Sequence, residues 1–447
     1  MTCAKWWLAK KQAGYHPCMS STASTAGIVS FEQARRLVEQ HAAGVCPGEM
    51  ETVDLLAGLG RVLAEGVVAD RDFPPFDRAT RDGYAVRAAD LAEVPARLEV
   101  VGEVKAGDWP EPGVCSVGRG QAVGIMTGAP VPAGADAVVM VEHTSLMEET
   151  ARKLVEVRRS ISVGENFVPR GAEARAGQLL LDRGRRLLDH AGIAIAASVG
   201  KSRVQVFRKP RVAVLSTGDE VVEIDATPGP AQIRNSNSYS LAAQVQNAGG
   251  EAVRLAIAPD ERGRLRSLIE ESLIEEGLGC DLLLLTGGVS MGKYDLVGQV
   301  LGELKAEFYF TGAEIQPGRP VVFGACGSPV KKSPAKKYFF GLPGNPVSTM
   351  VTFELFARPM IEALAGMTPQ RLIFLRARLK SEIRTKTGLK RFLPAVLSGE
   401  FENAEVELAR WQGSGDIAAL ARGNCYVVIP PDRERIGAGE WVSLLMR

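Results

Sequence analysis

The sequence predicts a multidomain α/β protein whose central domain is a doubly wound α/β sheet. Its 447 residues are too many for one ordinary domain. From Arg211 onward, apolar runs alternate with amphipathic segments, as in a parallel sheet covered by helices on both faces. Two other regions, 98–157 and 370–447, contain short β-type runs separated by Gly and Pro turns, which predict smaller β domains.

The order of these patterns divides the chain into five segments, in which an N-terminal α/β domain is interrupted by a β domain. Ser30 and Gln33 form a capping box that predicts a helix from Phe31 to Ala42, and a second helix is predicted over 53–68. A further helix is expected near Leu188–Val199. The segments are a disordered leader (1–27), the N-terminal domain (28–72 with 163–203), the inserted β domain (73–162), the α/β sheet domain (204–369) and a small C-terminal β domain (370–447).

Within the sheet domain, the hydrophobic periodicity predicts strands that alternate with helices. The strands are predicted at Val212–Leu215, Ala252–Ile257, Leu282–Leu285 and Tyr338–Phe340. The helices are predicted at Ser238–Asn247, Arg262–Glu276, Leu296–Leu304 and Val347–Ala365.

The composition is that of a cytoplasmic globular protein whose partners are small molecules rather than nucleic acid or a membrane. The formal net charge is +1, so no broad basic field exists to attract nucleic acid. No apolar run reaches the roughly 18 residues that a membrane-spanning helix needs. The seven cysteines are an odd number without a C-x-x-C pair, which argues against a disulfide framework or a cysteine–zinc site and favours a reducing compartment. A metal is therefore expected to be a hard cation held by carboxylates.

Four polar loops follow the predicted strands of the sheet domain. They are Ser216-Thr-Gly-Asp-Glu220, Ala258-Pro-Asp260, Thr286-Gly-Gly-Val-Ser-Met-Gly-Lys-Tyr-Asp295 and Gly341-Leu-Pro-Gly-Asn-Pro346. The carboxyl ends of parallel strands meet at one edge of a sheet, and ligands of doubly wound sheets bind beyond that edge. We therefore expect these loops to converge on one site.

The 286–295 loop has the composition of an anion cradle. Small residues allow backbone N–H groups to approach a phosphate, and a helix N-terminus follows directly. Residues from Gly287 to Lys293 fit the pattern G-x-x-x-x-G-K, but Tyr294 stands where the phosphate-binding loop of an NTPase needs Ser or Thr for Mg²⁺. This residue argues against an NTPase. Taken alone, the loop also fits a glycine-rich turn that binds nothing.

Three carboxylates, those of Glu220, Asp260 and Asp295, each follow a strand and are candidates to share one Mg²⁺ ion. The alternative for each of them is a helix cap or a solvated turn residue. Asp219 is expected to be the structural member of its acidic pair.

Several motifs, in this order, resemble the MoeA family of molybdopterin molybdenumtransferases, which includes the E domain of gephyrin. The resemblance extends from about residue 28 to residue 447. It rests on Pro74-Pro-Phe-Asp77, Asp82-Gly-Tyr-Ala-Val86, Ile125-Met-Thr-Gly-Ala-Pro130, Gly164-Glu-Asn166, Ser216-Thr-Gly-Asp-Glu220, Gly287-Gly-Val-Ser290, Pro317-Gly-Arg-Pro320 and Gly341-Leu-Pro-Gly-Asn-Pro346. Together these motifs are highly specific, whereas the glycine-rich loop alone is not.

The resemblance implies a Mg²⁺-dependent transferase of molybdenum cofactor biosynthesis that inserts molybdate into adenylylated molybdopterin and releases AMP. It also implies an elongated homodimer with a site between the sheet domain of one subunit and the inserted β domain of the other. The sheet domain is expected to be similar to the molybdopterin adenylyltransferases (MogA/MoaB-like), and contact with such an enzyme is expected.

Matched to the family's motifs, Asp82, Glu220, Asp260 and Asp295 take catalytic roles, and the last three of these also bind the metal. The binding residues indicated by the loops and by the resemblance are Thr127, Thr286, Gly287, Gly288, Ser290, Gly292, Arg319, Pro343, Gly344, Pro346 and Ser414. Without the resemblance, Asp82 and Thr127 fit ordinary turns. Glu173 stands near a further acidic position of the family.

The sequence departs from the family pattern in three places. Gly312-Ala-Glu-Ile-Gln316 stands where the family often has lysines, the following turn carries Arg319, and Pro394 stands near a common arginine. Anion binding is therefore expected to depend on Arg319, Lys293 and backbone amides. Two other functions remain open: an adenylyltransferase, which resembles the sheet domain alone, and a non-catalytic scaffold. The additional segments on both sides of the sheet domain favour molybdate insertion.

Overall fold

The structure is a computed structural model that describes residues 27–109, 115–149, 152–185, 188–273, 278–288, 296–327, 336–368 and 370–447. The chain forms two compact units. The larger unit comprises Met1–Glu65, Gly184–His190 and Arg203–Arg447, and the smaller unit comprises Gly66–Arg183 and Ala191–Ser202. No helix in the described ranges is long and apolar enough to cross a membrane.

The first helix of the larger unit, Phe31–Gly44, begins at the predicted capping box. Gln33 donates its backbone N–H to Ser30 Oγ at 3.2 Å, and Ser30 donates its own to Gln33 Oε1 at 3.1 Å. One face of the helix is buried, namely Phe31, Ala34, Val38 and Ala42, and packs into the largest hydrophobic core of the unit. The helical spacing of these apolar residues explains why the prediction is confirmed.

The second predicted helix, over 53–68, is wrong. The chain instead forms the strand Met50–Asp54, which pairs antiparallel with Arg203–Phe207, and a single 3-10 turn at Leu55–Gly58. Gly60 has a φ of +70°, which ends any helix that starts here. Pairing with a distant strand has therefore outweighed the local helical pattern.

The central sheet of the larger unit contains, in the described part of the chain, six strands. Their spatial order is Glu251–Arg254, Arg211–Ser216, Leu282–Thr286, Lys337–Leu342, Val322–Cys326 and Glu307–Phe310. The first four are parallel and confirm the predicted strands, although the strand expected over 252–257 is shorter. Val322–Cys326 pairs antiparallel with Lys337–Leu342, and Glu307–Phe310 pairs antiparallel with Val322–Cys326. The sequence pattern did not reveal these two antiparallel pairings.

Both faces of this sheet are covered, as the apolar runs predicted. Alternate residues of Leu282–Thr286 point into different cores: Leu282 and Leu284 into one, Leu283 and Leu285 into the other. The covering helices are Ser236–Asn247, Arg262–Leu273, Leu296–Glu303, Pro346–Thr352 and Arg358–Leu364. The long helix predicted over 347–365 contains a π turn at Phe353–Ala357. Pro359 has no N–H to donate to the carbonyl of Leu355, which interrupts the regular bonding at that point.

The C-terminal region of the larger unit forms a small closed β structure, which confirms the predicted β domain. Its strands, in spatial order, are Lys390–Ser398, Glu405–Leu408, Phe374–Leu379, Trp441–Met446 and Cys425–Ile429, and the last pairs with the first. The short strand Ile315–Gln316 of the sheet domain joins this structure by pairing with Lys390 and Arg391. A helix, Ile417–Arg422, is capped by Asp416, which accepts a hydrogen bond from Ala419 N at 2.9 Å.

The smaller unit is built on a mixed sheet that has, within the described ranges, six strands. Their order is Ala137–Met140, Gly83–Val86, Gln121–Ile125, Ala96–Val104, Arg152–Val157 and Thr144–Glu149. The β-type runs of the sequence all correspond to strands of this sheet. The predicted helix near Leu188–Val199 is observed as His190–Ser198.

The remaining elements are short. They are the strand pairs Ile28–Val29 with Gly312–Ala313, Val67–Val68 with Leu179–Leu181, Arg78–Ala79 with Phe167–Val168, Val221–Val222 with Ile233–Arg234 and Ile383–Arg384 with Arg435–Ile436, and the 3-10 turns Ala88–Leu91, Val141–His143 and Phe401–Asn403. Cys115, Cys280, Cys326 and Cys425 are free.

We predict that Glu362 makes the stability of the protein pH-dependent. Burial raises the pKa of its carboxyl to about 7, although Arg358 Nη1 lies 3.6 Å from its Oε1. Because the folded-state pKa lies above the ordinary value of 4.5, the unfolded chain ionises first as the pH rises from 4.5 to 7, and the free energy of unfolding falls over this window. Glu362→Gln should therefore gain about 1–3 kcal/mol relative to the parent between pH 5 and pH 8.

Urea denaturation at several pH values measures this difference. The exposed Glu402→Gln variant serves as the control and should show a constant difference from the parent. A Glu362→Gln difference that does not change with pH would contradict the assignment.

Candidate functional site

The carboxyl ends of three parallel strands lie side by side in the larger unit. Ser216 pairs in register with Thr286, and Thr286 with Leu342. The chain leaves Ser216 for the strand Glu251–Arg254 on one side and returns to Leu282–Thr286 on the other. This reversal is a topological switch point, beyond which open α/β sheets form a ligand crevice.

The loops that follow these strands are in contact, as the sequence predicted. Thr217 N donates to Thr286 O at 3.0 Å, and Gly218 N donates to Ala258 O at 3.2 Å. The loops after the strands ending at Ser216 and Thr286 and the segment at Ala258 are therefore held together by backbone hydrogen bonds. These three loops are therefore held at their first residues by backbone hydrogen bonds as well as by the topology of the sheet.

The start of the glycine-rich loop requires glycine for physical reasons. Gly287 and Gly288 have φ values of +92° and +61°. A Cβ atom on Gly287 would lie 2.5 Å from Thr217 O, and one on Gly288 would lie 2.9 Å from Thr217 Oγ1. The backbones of the two loops thus approach more closely than side chains allow. Gly344 belongs to the same crevice, because the position of its Cβ atom would be 3.5 Å from Gly287 Cα.

A hydrogen-bond network joins Thr286 to the Gly341–Pro346 loop. Thr286 Oγ1 donates to Pro343 O at 3.2 Å and accepts from Asn237 Nδ2 at 3.0 Å. Asn237 Nδ2 also donates to Gly344 O at 2.7 Å. Asn237 was not among the residues predicted from the sequence, although the polar run Asn235-Ser-Asn-Ser238 at the start of a helix is a pattern that indicates it.

Ser414 is brought to the same loop from the C-terminal region. Pro346 occupies the first turn of the helix Pro346–Thr352, and Val347 N donates to Ser414 O at 2.9 Å. Thr349 Oγ1 donates to Asn345 O at 3.0 Å and also to Pro343 O. The bend between Pro343 and Pro346 is therefore fixed by hydrogen bonds on both sides.

Acidic side chains gather at the neighbouring loops. Asp260 N donates to Asp219 Oδ1 at 3.1 Å, which gives Asp219 the structural role expected for it. The Glu220 carboxylate lies against Gly218, whose Cβ atom would be 2.4 Å from Glu220 Oε2. Burial, and then the charges of Asp219 and Glu220, raise the pKa of Asp260. A cation near these carboxylates would relieve their repulsion.

This acidic group suits a magnesium ion that is shared with a ligand. Among the residues that the structure describes, no three His, Cys, Asp or Glu side chains form a ready-made metal site. Mg²⁺ usually takes one or two protein carboxylates and completes its shell with water and substrate phosphates. Glu220 and Asp260 fit that pattern.

The positively charged candidate, Arg319, lies on the turn that follows the cis peptide bond between Gln316 and Pro317. Its side chain is exposed, and its carbonyl accepts from Ala313 N at 3.0 Å. Gly318 packs against Thr352, so the turn lies beside the helix that begins at Pro346. Of the departures from the family pattern, Gly312 pairs with Ile28, Gln316 is exposed, and Pro394 is buried opposite Tyr426.

Three predicted site residues, Ser290, Gly292 and Asp295, lie outside the described residues, as do Lys293 and Tyr294. Their roles remain predictions.

Asp82 and Thr127 belong to the smaller unit and contact each other there. Thr127 donates its backbone N–H to Asp82 Oδ1 at 2.6 Å and its hydroxyl to the same oxygen at 2.7 Å. Both hydrogen bonds lower the pKa of Asp82, and the bond from the backbone N–H has the larger effect. Asp82 also lines a cavity of 710 Å³ with Glu103, Met126 and Lys153. Glu173, in the same unit, accepts a hydrogen bond from Arg78 Nη2 at 2.8 Å.

The fold and the loops at the switch point are those of a molybdopterin-binding α/β domain set within a larger chain. Three family profiles match in order: the MoeA N-terminal region (domain I and II) at residues 29–200, the probable molybdopterin binding domain at 213–363, and the MoeA C-terminal region (domain IV) at 376–446. Together they span most of the sequence.

Whole-chain relatives agree with these matches. The molybdopterin molybdenumtransferase of Nostoc sp. is 35% identical over 435 residues, covering 96% of this chain and 94% of the relative. That of Bacillus subtilis is 33% identical, covering 89% and 90%. The crystal structure of the molybdopterin biosynthesis MoeA protein from Pyrococcus horikoshii OT3 superposes with a TM-score of 0.70 at 28% identity, covering 94% of this chain and 100% of that one. The chain therefore belongs to the MoeA family of molybdopterin molybdenumtransferases, which are transferases of molybdenum cofactor biosynthesis.

We predict that Gly287→Ala disrupts the crevice. The added methyl group meets the carbonyl of Thr217 in a backbone conformation that alanine rarely adopts, so the protein should lose about 1–3 kcal/mol of stability. Affinity for molybdopterin should fall about tenfold or more, because the two loops must separate.

The matched control is Gly302→Ala. Gly302 is an exposed residue of the helix Leu296–Glu303, and nothing lies within 4 Å of its Cβ position. This variant should gain about 0.4–1 kcal/mol and bind normally. Thermal unfolding and fluorescence titration with molybdopterin measure both effects; equal behaviour of the two variants would refute the close approach.

Proposed function

We propose that this protein inserts molybdate into adenylylated molybdopterin and releases AMP at the carboxyl edge of its larger sheet. The observation that carries the proposal is the convergence of the glycine-rich loop, the proline loop and the acidic loops at the switch point. Each supplies a different part of the required chemistry. Amides bind phosphate, rigid turns position the ligand, and carboxylates hold a cation.

The terminal phosphate of molybdopterin, or the pyrophosphate of its adenylate, would bind at the start of the 286–295 loop. The backbone amides of Gly287 and Gly288 would take this role, and Ser290 and Gly292 would extend the cradle. Arg319 would contact molybdate as an oxyanion. The loop from Pro343 to Pro346, held by Ser414, would form the opposite wall.

Glu220 and Asp260, together with Asp295, would hold Mg²⁺ against the pyrophosphate. When bound, the ion neutralises negative charge on the phosphates and polarises the bond that is broken. The protein residues hold the ligand in place and orient it, and no side chain needs to act as a nucleophile. Burial, and then the charges of Asp219 and Glu220, raise the pKa of Asp260. This supports the arrangement, because a bound cation would offset the burial of the charge and relieve the repulsion.

The enzyme would act as a cytoplasmic homodimer in which Asp82 and Thr127 of one subunit complete the site on the sheet domain of its partner. Both hydrogen bonds from Thr127 go to Asp82 Oδ1, and they favour the ionised form of the carboxyl. The adenylylated substrate would be delivered by a molybdopterin adenylyltransferase in contact with this protein.

Asp295→Asn is the sharpest test of the reaction. We expect molybdate-dependent release of AMP from adenylylated molybdopterin to fall at least 100-fold. The reason is that the carboxylate holds the metal ion that neutralises the phosphate charge, and an uncharged amide cannot replace it. Chromatographic quantification of AMP, with and without molybdate, measures the rate. Near-parental release would show that Asp295 is not required.

Parallel incubation of the parent with molybdopterin and ATP tests for adenylyltransferase activity, and we expect no adenylylated molybdopterin to form.

Asp260→Asn tests the metal assignment separately. This variant removes one charge from the acidic group, so the Mg²⁺ concentration for half-maximal AMP release should rise about tenfold, with partial recovery at high Mg²⁺. Asp225→Asn, at an exposed position in the following segment, is the control and should keep the parental Mg²⁺ dependence. An unchanged Mg²⁺ dependence in Asp260→Asn would remove Asp260 from the metal site.

A further inference from the structure

Two buried polar groups without a hydrogen-bond partner in the described ranges flank the segment Thr286–Gly288. One is Thr217 Oγ1; Thr217 is 4% exposed, and this oxygen lies 3.0 and 2.9 Å from the Cβ positions of Gly287 and Gly288. The other is Asn237 Oδ1. A buried polar atom that makes no hydrogen bond is destabilising, so it is explained best by a ligand or an ordered water.

The orientation of the Asn237 amide follows from its neighbours. Its Nδ2 lies 2.7 Å from Gly344 O, and a carbonyl oxygen can only accept a hydrogen bond. The nitrogen must therefore face Gly344, and the unpartnered atom must be the oxygen. Asn237 thus presents a hydrogen-bond acceptor beside the glycine-rich loop, and the group that satisfies it has to be a donor.

The chemistry of the substrates narrows the choice of donor. Phosphate and molybdate oxygens and dithiolene sulfurs act as acceptors at neutral pH, so none of them satisfies an amide oxygen. The donors among the substrate groups are the N–H and amino groups of the pterin ring and the hydroxyl and amino groups of the adenosine. The pterin stays in the site throughout the transfer, whereas AMP leaves, so the pterin is the donor that we select.

We propose that Asn237 is a substrate-positioning residue for the transfer reaction. Its Nδ2 ties Thr286 to Gly344, and its Oδ1 accepts a hydrogen bond from an N–H group of the bound pterin. The inference rests on the proposed function, because it places molybdopterin in this crevice. It extends that function by assigning recognition of the pterin to a residue outside the glycine-rich, proline-rich and acidic loops.

The test compares affinities for molybdopterin, adenylylated molybdopterin and AMP, since AMP has a phosphate but no pterin. Asn237→Ala removes the acceptor and the loop contact together. Asn237→Asp keeps an acceptor oxygen of the same shape but loses the donor, and any charge repulsion acts on all three phosphate ligands. The ratio of the AMP to the molybdopterin dissociation constant therefore isolates the pterin contact. Ser236→Ala, an exposed residue on the same helical turn, is the control.

In Asn237→Ala, binding of both pterin ligands should weaken about 5–10-fold, as expected for one lost hydrogen bond, while AMP binding stays within about twofold. Asn237→Asp should keep the parental ratio even if Asn237→Ala does not fold, and Ser236→Ala should bind all three ligands normally. Thermal unfolding of each variant accompanies the titrations.

Three results would overturn the inference. Equal weakening for all three ligands would mean that Asn237 only supports the loops. Weakening confined to the adenosine-containing ligands would move the contact to the nucleotide, and no change in any ligand would remove the contact. If the parent itself neither binds the pterin ligands nor releases AMP, the proposed function fails first, and the inference fails with it.

Discussion

The pairing of the strand Leu282–Thr286 with a parallel neighbour on each side determines where the site is formed. All five of its residues are buried, and the side chains of its four leucines alternate between two hydrophobic cores. A strand held on both edges and both faces cannot slip, because a shift by one residue would exchange the side chains between the cores. The strand ends at Ser216, Thr286 and Leu342 are thereby fixed in one row. The loops begin from this row, so that their approach is determined before any ligand binds.

The first residues of the loops lie close together, which explains why glycine is needed there and why acidic side chains are grouped nearby. Thr217 and Gly287 approach so closely that no side chain fits between them, and the same crowding holds Asp219, Glu220 and Asp260 within reach of one another. A chain with a formal net charge of +1 has no strong overall field, yet it concentrates negative charge at one edge. Beside it, the glycine-rich loop offers amides for anions. A cation and a phosphate ligand would satisfy both features together, and neither alone would do so.

Features of the fold that arise from local pattern were predictable from the sequence. The apolar run at Leu282–Leu285 and the capping box of Ser30 and Gln33 each determine an element by themselves. The helix predicted over 53–68 failed because Met50–Asp54 pairs with a strand about 150 residues later, which local periodicity does not reveal. The antiparallel strands Val322–Cys326 and Glu307–Phe310 escaped prediction for a similar reason: their partners are determined by the sheet edge they complete.

The candidate site shows the same division. The placement of Thr286, Gly287 and Gly288 beside the other loops could be predicted because loops after parallel strands share an edge. The turn at Pro343, Gly344 and Pro346 could be predicted because two prolines and a glycine indicate a rigid turn. The roles of Asp82, Thr127 and Arg319 are predictions from the family resemblance. The sequence places Ser414 near a polar position of the family, and its backbone contact with Val347 depends on how the C-terminal region packs.

Asn237 marks the limit of what one sequence reveals. Its contacts are with residues 49 and 107 positions away, so no spacing rule connects them. It can make these contacts because Asn235 already caps the helix. The Oδ1 of Asn235 accepts from Ser238 N at 3.2 Å and from Ser216 Oγ at 2.9 Å, which leaves the next asparagine available to the crevice. Two identical residues in one short motif thus serve different purposes, one closing the helix and the other facing the ligand loops. The sheet register, which sets Ser216 beside Thr286, determines that Asn235 caps the helix and that Asn237 faces the ligand loops.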